Sequence, residues 1–195
     1  MSGAPRVTRR RLIGVVAATA SLAALGGALR ARAAPPTWLR PPGALPEDDF
    51  LARCIRCFRC GEVCPARCIE FPSSFALAEA DTPFVIATDK ACILCMRCGE
   101  ACPTGALVRI AQRLDEMAVK VKMGTPVLDK EACFAWNRKQ PCHLCFDVCP
   151  WQDQAVRLVT DRMAPEFVDD KCVGCGLCSE ACPVEEPAIV IKRLA

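Results

Sequence analysis

Sixteen of the 17 cysteines in this 195-residue chain fall into four phrases of one form. Cys54, Cys57, Cys60 and Cys64 precede Pro65; Cys92, Cys95, Cys98 and Cys102 precede Pro103; Cys172, Cys175, Cys178 and Cys182 precede Pro183. The third copy in chain order runs Cys133, Cys142, Cys145 and Cys149 before Pro150, with a longer first gap. Three thiols at three-residue steps curl the backbone around one iron–sulfur cubane, and the fourth, ahead of proline, ligates the cubane of another motif in two-cluster ferredoxins. All sixteen cysteines are therefore candidate iron ligands, enough for four [4Fe-4S] clusters. Cys68 is left over and reads most simply as a buried thiol, with replacement ligand as the alternative.

Two other uses of cysteine fit less well. Disulfides do not require thiols at strict three-residue steps closed by Cys-Pro, four times over. Zinc sites usually combine two separated Cys-x-x-Cys knuckles rather than a consecutive triple. With 8 Phe, 3 Trp and no Tyr, the chain is poor in large apolar side chains, so groups bound to sulfur are expected to supply part of the folding energy.

The motifs must be held by backbone that brings them together. Short apolar stretches flank them: Ile69 to Phe71, Phe84 to Ala87, Ala106 to Ile110, Val127-Leu128, Ala155 to Val159, Phe167-Val168 and Ala188 to Ile191. The resulting period is a strand, a cysteine loop with a helical turn, and a strand. Turn residues Asp81-Thr82-Pro83, Gly124-Thr125-Pro126 and Asp161 to Pro165 predict hairpins between consecutive motifs. Residues 112–122 suit a short helix or an extended connector, and Gly61, Gly99, Gly174 and Gly176 let the backbone come close to a cluster. No strand is evident before the first motif; Glu47-Asp48-Asp49-Phe50-Leu51 reads instead as a first helical turn with acids at the positive end of the dipole.

The fold class expected is α+β and bacterial-ferredoxin-like. A polyferredoxin region over 54–195 divides into two dicluster modules, about 54–110 and 127–195, built from short β-hairpins and cysteine loops with helical turns. Pairing the first motif with the second and the third with the fourth satisfies the loop lengths, and so does pairing the first with the fourth and the second with the third.

Residues 1–33 carry Thr8-Arg9-Arg10-Arg11-Leu12-Ile13-Gly14, a weakly apolar run to Leu29, and Ala31-Arg32-Ala33. That pattern predicts a twin-arginine signal peptide cleaved after Ala33, with a retained anchor as the alternative. Clusters are built in the cytoplasm, so folded cargo needs this route, and a periplasmic protein is expected, with peripheral attachment to the outer face of the cytoplasmic membrane allowed. A Pro-rich linker and first helical turn over 34–53 follow; Pro35 to Pro46 should run extended over the surface, with Trp38 and Leu39 as anchors. The formal charge is +3, and loss of the six leader arginines leaves about −3. Each oxidised cubane adds about −2. An anionic protein of this kind is a poor match for nucleic acid, whose binding rests on excess Lys and Arg.

No nucleotide-binding, nucleophile-elbow or haem-attachment motif is present, which points to an electron carrier without a catalytic site of its own. The single histidine, His143, lies between Cys142 and Cys145, where it is either a hydrogen-bond donor to the third cluster or simply solvated. The insertion Phe134 to Pro141 shields that cluster, faces a partner, or is a bare loop. Arg53, Arg56 and Arg59 interleave with the first cysteines, either as a basic docking face or as polar filler.

With the leader, the Leu39-Arg40-Pro41-Pro42-Gly43-Ala44 lead-in, the four cysteine motifs and the Pro187-Ala188-Ile189 close, the chain resembles the MauM/NapG family of ferredoxin-type proteins over essentially its whole mature length. The resemblance implies an exported protein whose sixteen motif cysteines hold four [4Fe-4S] clusters. It further implies electrons taken from a membrane-bound iron–sulfur protein that oxidises quinol and passed to a periplasmic redox enzyme or c-type cytochrome, in nitrate reduction or methylamine utilisation. The regular Cys92, Cys95, Cys98, Cys102 spacing and the early end of the chain lean toward the methylamine branch. The alternatives are a redox maturation factor for another enzyme's cofactor and an electron-transfer subunit of a larger oxidoreductase.

Overall fold

The computed structural model describes residues 38–73, 79–159 and 161–194. The expected signal peptide and the first part of the linker, 1–37, lie outside the described residues. Among the described residues no helix is long and apolar enough to cross a membrane.

Among the described residues thirteen short elements frame the cysteine loops. The strands are β1 (Trp38–Leu39), β2 (Ile69–Glu70), β3 (Phe84–Ile86), β4 (Gly124–Leu128), β5 (Val156–Val159), β6 (Ala164–Phe167) and β7 (Ile189–Arg193). The helices are α1 (Glu47–Arg53), α2 (Arg59–Glu62), α3 (Arg97–Ala101), α4 (Leu114–Lys120), α5 (Leu144–Asp147) and α6 (Leu177–Glu180). Helix α1 is the expected acidic turn, with Glu47, Asp48 and Asp49 opening it and Phe50 buried. Helices α2, α3, α5 and α6 each carry the third cysteine of a motif, and the proline after the fourth cysteine prevents their continuation.

Hairpins form where two were expected. Strands β2 and β3 pair between the first and second motifs, and β5 and β6 between the third and fourth. The middle connection departs from expectation: Gly124-Thr125-Pro126 does not reverse the chain but opens β4, which pairs antiparallel with β7 from Gly124↔Arg193 to Leu128↔Ile189. Helix α4 occupies the link from the second motif to the third, burying Met117, so no hairpin forms there. The stretch Ala106 to Ile110 is likewise not a strand, and contributes a single bridge from Leu107 to Ala44.

That bridge supplies the strand missing before the first motif. Leu45 N–H donates to Ala106 O at 3.1 Å, and Val108 N–H to Gly43 O at 2.7 Å. The Pro-rich lead-in thus takes the place that β4 holds in the second half, and Ala106 to Val108 the place of β7. Proline cannot donate, which restricts this segment to a few edge bonds. It is nonetheless no surface tether, because Leu39, Arg40, Pro41 and Pro42 are all buried and β1 pairs with β3. Gly43 stands at φ +80, and a Cβ there would meet Val108 O at 2.5 Å, so only glycine fits this crossing.

The two halves share one core. Leu39, Val85, Met117, Val121, Val173, Ile189 and Ile191 form a central cluster, while Phe50, Ala106 and Leu107 make a satellite at one end and Ala135, Ala164 and Ala188 another. Burying a side chain of Leu39 size contributes about 1.5–3 kcal/mol. Arg40 organises the first half from inside. Its guanidinium lies 4.5 Å from the Phe50 ring centroid and 4.0 Å from that of Phe84, donates to Thr82 Oγ1 and Pro83 O, and pairs with Glu47. Burial pushes Glu47 up, but the hydrogen bond and charge of Arg40, with Arg193 of β7 beyond, outweigh it and hold the carboxyl below the usual range.

A depressed folded-state pKa stabilises above the unfolded value and is lost as pH falls through the folded one. Glu47→Gln is therefore expected to lower the guanidinium unfolding midpoint at pH 7, by a margin that shrinks as pH drops below about 4. Arg40→Ala should cost about 2–3 kcal/mol, less than a wholly buried pair because Glu47 keeps contact with water. Gly43→Ala should destabilise at every pH, through strain and the collision with Val108; an unchanged midpoint would remove that contact from the account.

Candidate metal centres

Three of the four cysteine loops are built around residues whose backbone turns left-handed. In the first motif these are Arg56 and Phe58, in the second Leu94 and Met96, and in the fourth Gly174 and Gly176. They flank the second cysteine on both sides, and the alternation gathers successive N–H groups into a concave nest that favours anions. Gly N–H 174 donates to Cys172 Sγ at 3.4 Å, and Leu107 N–H to Cys102 Sγ at 3.4 Å. The third motif, with its long first gap, lacks this frame; His143 there has φ −140.

The folded chain gathers the sixteen motif cysteines into four sets. Cys54, Cys57, Cys60 and Cys102 line one cavity with Phe50, Phe58 and Phe71. Cys64, Cys92, Cys95 and Cys98 line a second with Ile69, Val85 and Met96. Cys133, Cys142, Cys145 and Cys182 line a third with Phe134, Pro165 and Val184. Cys149, Cys172, Cys175 and Cys178 lie together in the central core, each of the last three feeling the charge of Cys149. Every set takes three cysteines from one motif and the fourth from its neighbour. Of the two pairings left open by the sequence, the geometry adopts first with second and third with fourth.

The sets stand in a row. Cys54, Cys60 and Cys102 belong to one satellite core, Cys133, Cys142 and Cys182 to the other, and the second and fourth sets meet in the centre. There the two loops touch directly: Cys92 N–H donates to Cys175 O at 3.0 Å, and Met123 N–H to Val173 O at 2.9 Å. Gly176, at φ +87, admits this approach, since a Cβ would come within 2.3 Å of Ala87 Cβ.

The donor set fits a polynuclear cationic group. Burial pushes the thiols of Cys60, Cys98, Cys145 and Cys175 up to about 12 and Cys178 well above the ordinary value, while the hydrogen bond with Cys68, followed by burial, pushes Cys92 well above it. Neighbouring cysteines add to the rise, so these thiols ionise together only around bound cations. Among the described residues no three His, Cys, Asp or Glu side chains are arranged to hold a single metal ion.

Other residues singled out by the sequence find definite places. Cys68 is buried in the second set, its Sγ 3.6 Å from Cys64 Sγ, and hydrogen bonds with Cys92 and Cys64 hold it down to about 7. His143 Nε2 lies 3.4 Å from the Asp147 carboxylate, and its buried Nδ1 meets no partner among the described residues. The insertion covers the third set: Phe134 lines the cavity, Ala135 is buried, and Trp136 Nε1 donates to Pro165 O at 2.9 Å beneath Lys130. Arg53 and Arg59 are exposed beside the first set, whereas Arg56 Nε donates to Ala80 O at 2.9 Å. The left-handed Arg56, Phe58, Leu94 and Met96 were not readable in advance, because none is a glycine.

Comparison with known proteins points to iron–sulfur binding along the chain. Models described as a 4Fe-4S dicluster domain match residues 53–106 and 125–183, and a 4Fe-4S double cluster binding domain matches 91–152. The ferredoxin-type protein NapG of Escherichia coli K12 is 34% identical over 100% of this chain and 89% of its own length. The methylamine utilization ferredoxin-type protein MauM of Methylorubrum extorquens is 39% identical over 77% of this chain and 70% of its own length. NapG of Haemophilus influenzae is 41% identical over 78% of this chain and 58% of its own. Iron–sulfur binding domains of mixed short helices and strands, and similarity of this extent to both sets of relatives, place the chain in the NapG/MauM family of ferredoxin-type proteins.

Proposed function

We propose that this protein is a periplasmic electron carrier with four [4Fe-4S] clusters, arranged as two dicluster modules that share a core. The sixteen motif cysteines are the ligands, each set holding one cluster. The observation that carries the reading is the row of four cysteine sets, in the order first, second, fourth, third, with the middle two joined through Cys92 N–H and Cys175 O. Bound cubanes would take up and release single electrons, and neighbouring ones would exchange them.

What the chain itself does is hold, cover and bias. Thiolates fix the iron; the left-handed residues aim N–H groups at sulfur; Phe50, Phe58, Phe71 and Phe134 exclude water. The row has two accessible ends. Cys57 is exposed at one, flanked by Ile55 and Phe58 at 63% and 43% exposure, and Leu144 is 44% exposed at the other. Clusters held in this row would let an electron enter at one end and leave at the other.

The rest of the proposal concerns place and partners. The twin-arginine phrase supports export of the folded protein to the periplasm. The name of the MauM relative supports service to methylamine utilisation, and the resemblance to the NapG branch points to nitrate reduction as the other pathway. The donor is then a membrane-bound iron–sulfur protein that oxidises quinol, and the acceptor a periplasmic redox enzyme or c-type cytochrome.

Chain prepared anaerobically is expected to contain about sixteen iron atoms and as many acid-labile sulfides, and to take up about four electrons on reductive titration. Zinc in place of iron, or iron for only one pair of clusters, contradicts the proposal. The pairing is checked by reduced-state EPR of cysteine variants: Cys102→Ala should remove the same signal as Cys60→Ala, and Cys182→Ala the same as Cys145→Ala. If Cys182→Ala instead removed the signal lost in Cys60→Ala, the nested arrangement would hold.

A further inference from the structure

The second set holds one thiol more than a cubane requires. Cys68 is 4% exposed, lines the same cavity as Cys64, Cys92, Cys95 and Cys98, and has its Sγ in contact with Cys64 Sγ at 3.6 Å. A turn brings the two sulfurs together: Arg67 N–H donates to Cys64 O at 3.1 Å, with Arg67 at φ 50. The two thiols are held differently. Cys64 sits half-buried on the Cys-Pro corner, while Cys68 leads directly into β2, whose next residue Ile69 pairs with Val85 in the sheet. Nothing equivalent exists in the other sets, because four residues beyond Cys102, Cys149 and Cys182 stand Ala106, Asp153 and Glu186.

Resting on the reading that this set holds a cubane, we propose that Cys68 is a replacement ligand that takes over the iron of Cys64 when the Cys-Pro corner opens. In the exchange the iron–sulfur bond to Cys64 breaks and one to Cys68 forms. The proton of the Cys68 thiol passes to the departing Cys64 thiolate across the sulfur–sulfur contact, and no electron is gained or lost. Cys92, which also hydrogen-bonds Cys68, is already committed as a ligand of the same set and cannot serve in this role. The second cluster, in the middle of the row, thereby has a reserve against loss of one iron.

The test uses the full chain, prepared anaerobically and assayed for iron, acid-labile sulfide and reduced-state EPR. Cys64→Ala is expected to keep the wild-type iron content, whereas Cys102→Ala, Cys149→Ala and Cys182→Ala each lose about a quarter of it. The double variant Cys64→Ala with Cys68→Ala should lose about a quarter as well. Equal loss in Cys64→Ala and the double variant overturns the proposal. Cys68→Ala alone retains every motif ligand, and should hold full iron anaerobically yet lose its second cluster several-fold faster than wild type to an iron chelator. Equal rates of loss also overturn it. A wild-type chain without iron would instead remove the cluster reading itself, which distinguishes the two failures.

Discussion

Buried thiolate is the constraint on which the structure turns. A thiol ionises readily in water and poorly in an apolar core, more poorly still beside other thiols, so a site of four buried cysteines is stable only around bound positive charge. Cys60, Cys98, Cys145 and Cys175 show this pressure directly, pushed up to about 12 by burial and by their neighbours. Binding cations there couples metal to folding, as expected for a chain whose own large apolar side chains are few. The left-handed backbone around the second cysteine of the first, second and fourth motifs serves the same need, adding N–H dipoles where negative charge collects.

The fold meets that constraint by making every motif depend on another. No motif completes a site alone, since each fourth cysteine crosses to its neighbour, and the central loops are then tied by the Cys92 to Cys175 hydrogen bond. Outer sets rest in small satellite cores, inner ones in the large shared core. The first half completes its ladder by borrowing Gly43 to Leu45 from the Pro-rich lead-in, and Arg40 clamps that segment between Phe50 and Phe84. Arg193 on the last strand reaches back to Glu47 and Glu79, closing the two halves on each other. Such cross-bracing keeps neighbouring sets at fixed separation, which is what passage of electrons along a row demands.

Much of the candidate site was legible in the chain. The spacing of the cysteines identified the sixteen that meet, and the apolar stretches located six of the seven strands to within a few residues. What escaped was non-local. Loop lengths allow either motif pairing; the folded chain brings the first motif to the second through β2 and β3, and the third to the fourth through β5 and β6. Gly124-Thr125-Pro126 carries turn chemistry, yet pairing with β7 overrides it. Prolines hid the first-half strand because they cannot donate to a ladder, although the residues just after them can. The position of Cys68 depends on the turn at Arg67, a left-handed residue with no sequence signature.

The central claim is that four clusters lie in a row whose order differs from their order in the chain. Iron-edge anomalous diffraction from anaerobically grown crystals of the full chain tests it most directly. The account predicts four iron sites in the order first, second, fourth, third, with Cys102 on the first, Cys64 or Cys68 on the second, Cys149 on the fourth and Cys182 on the third. Iron at fewer than four positions, or the first and fourth motifs sharing a pair of sites, would contradict it.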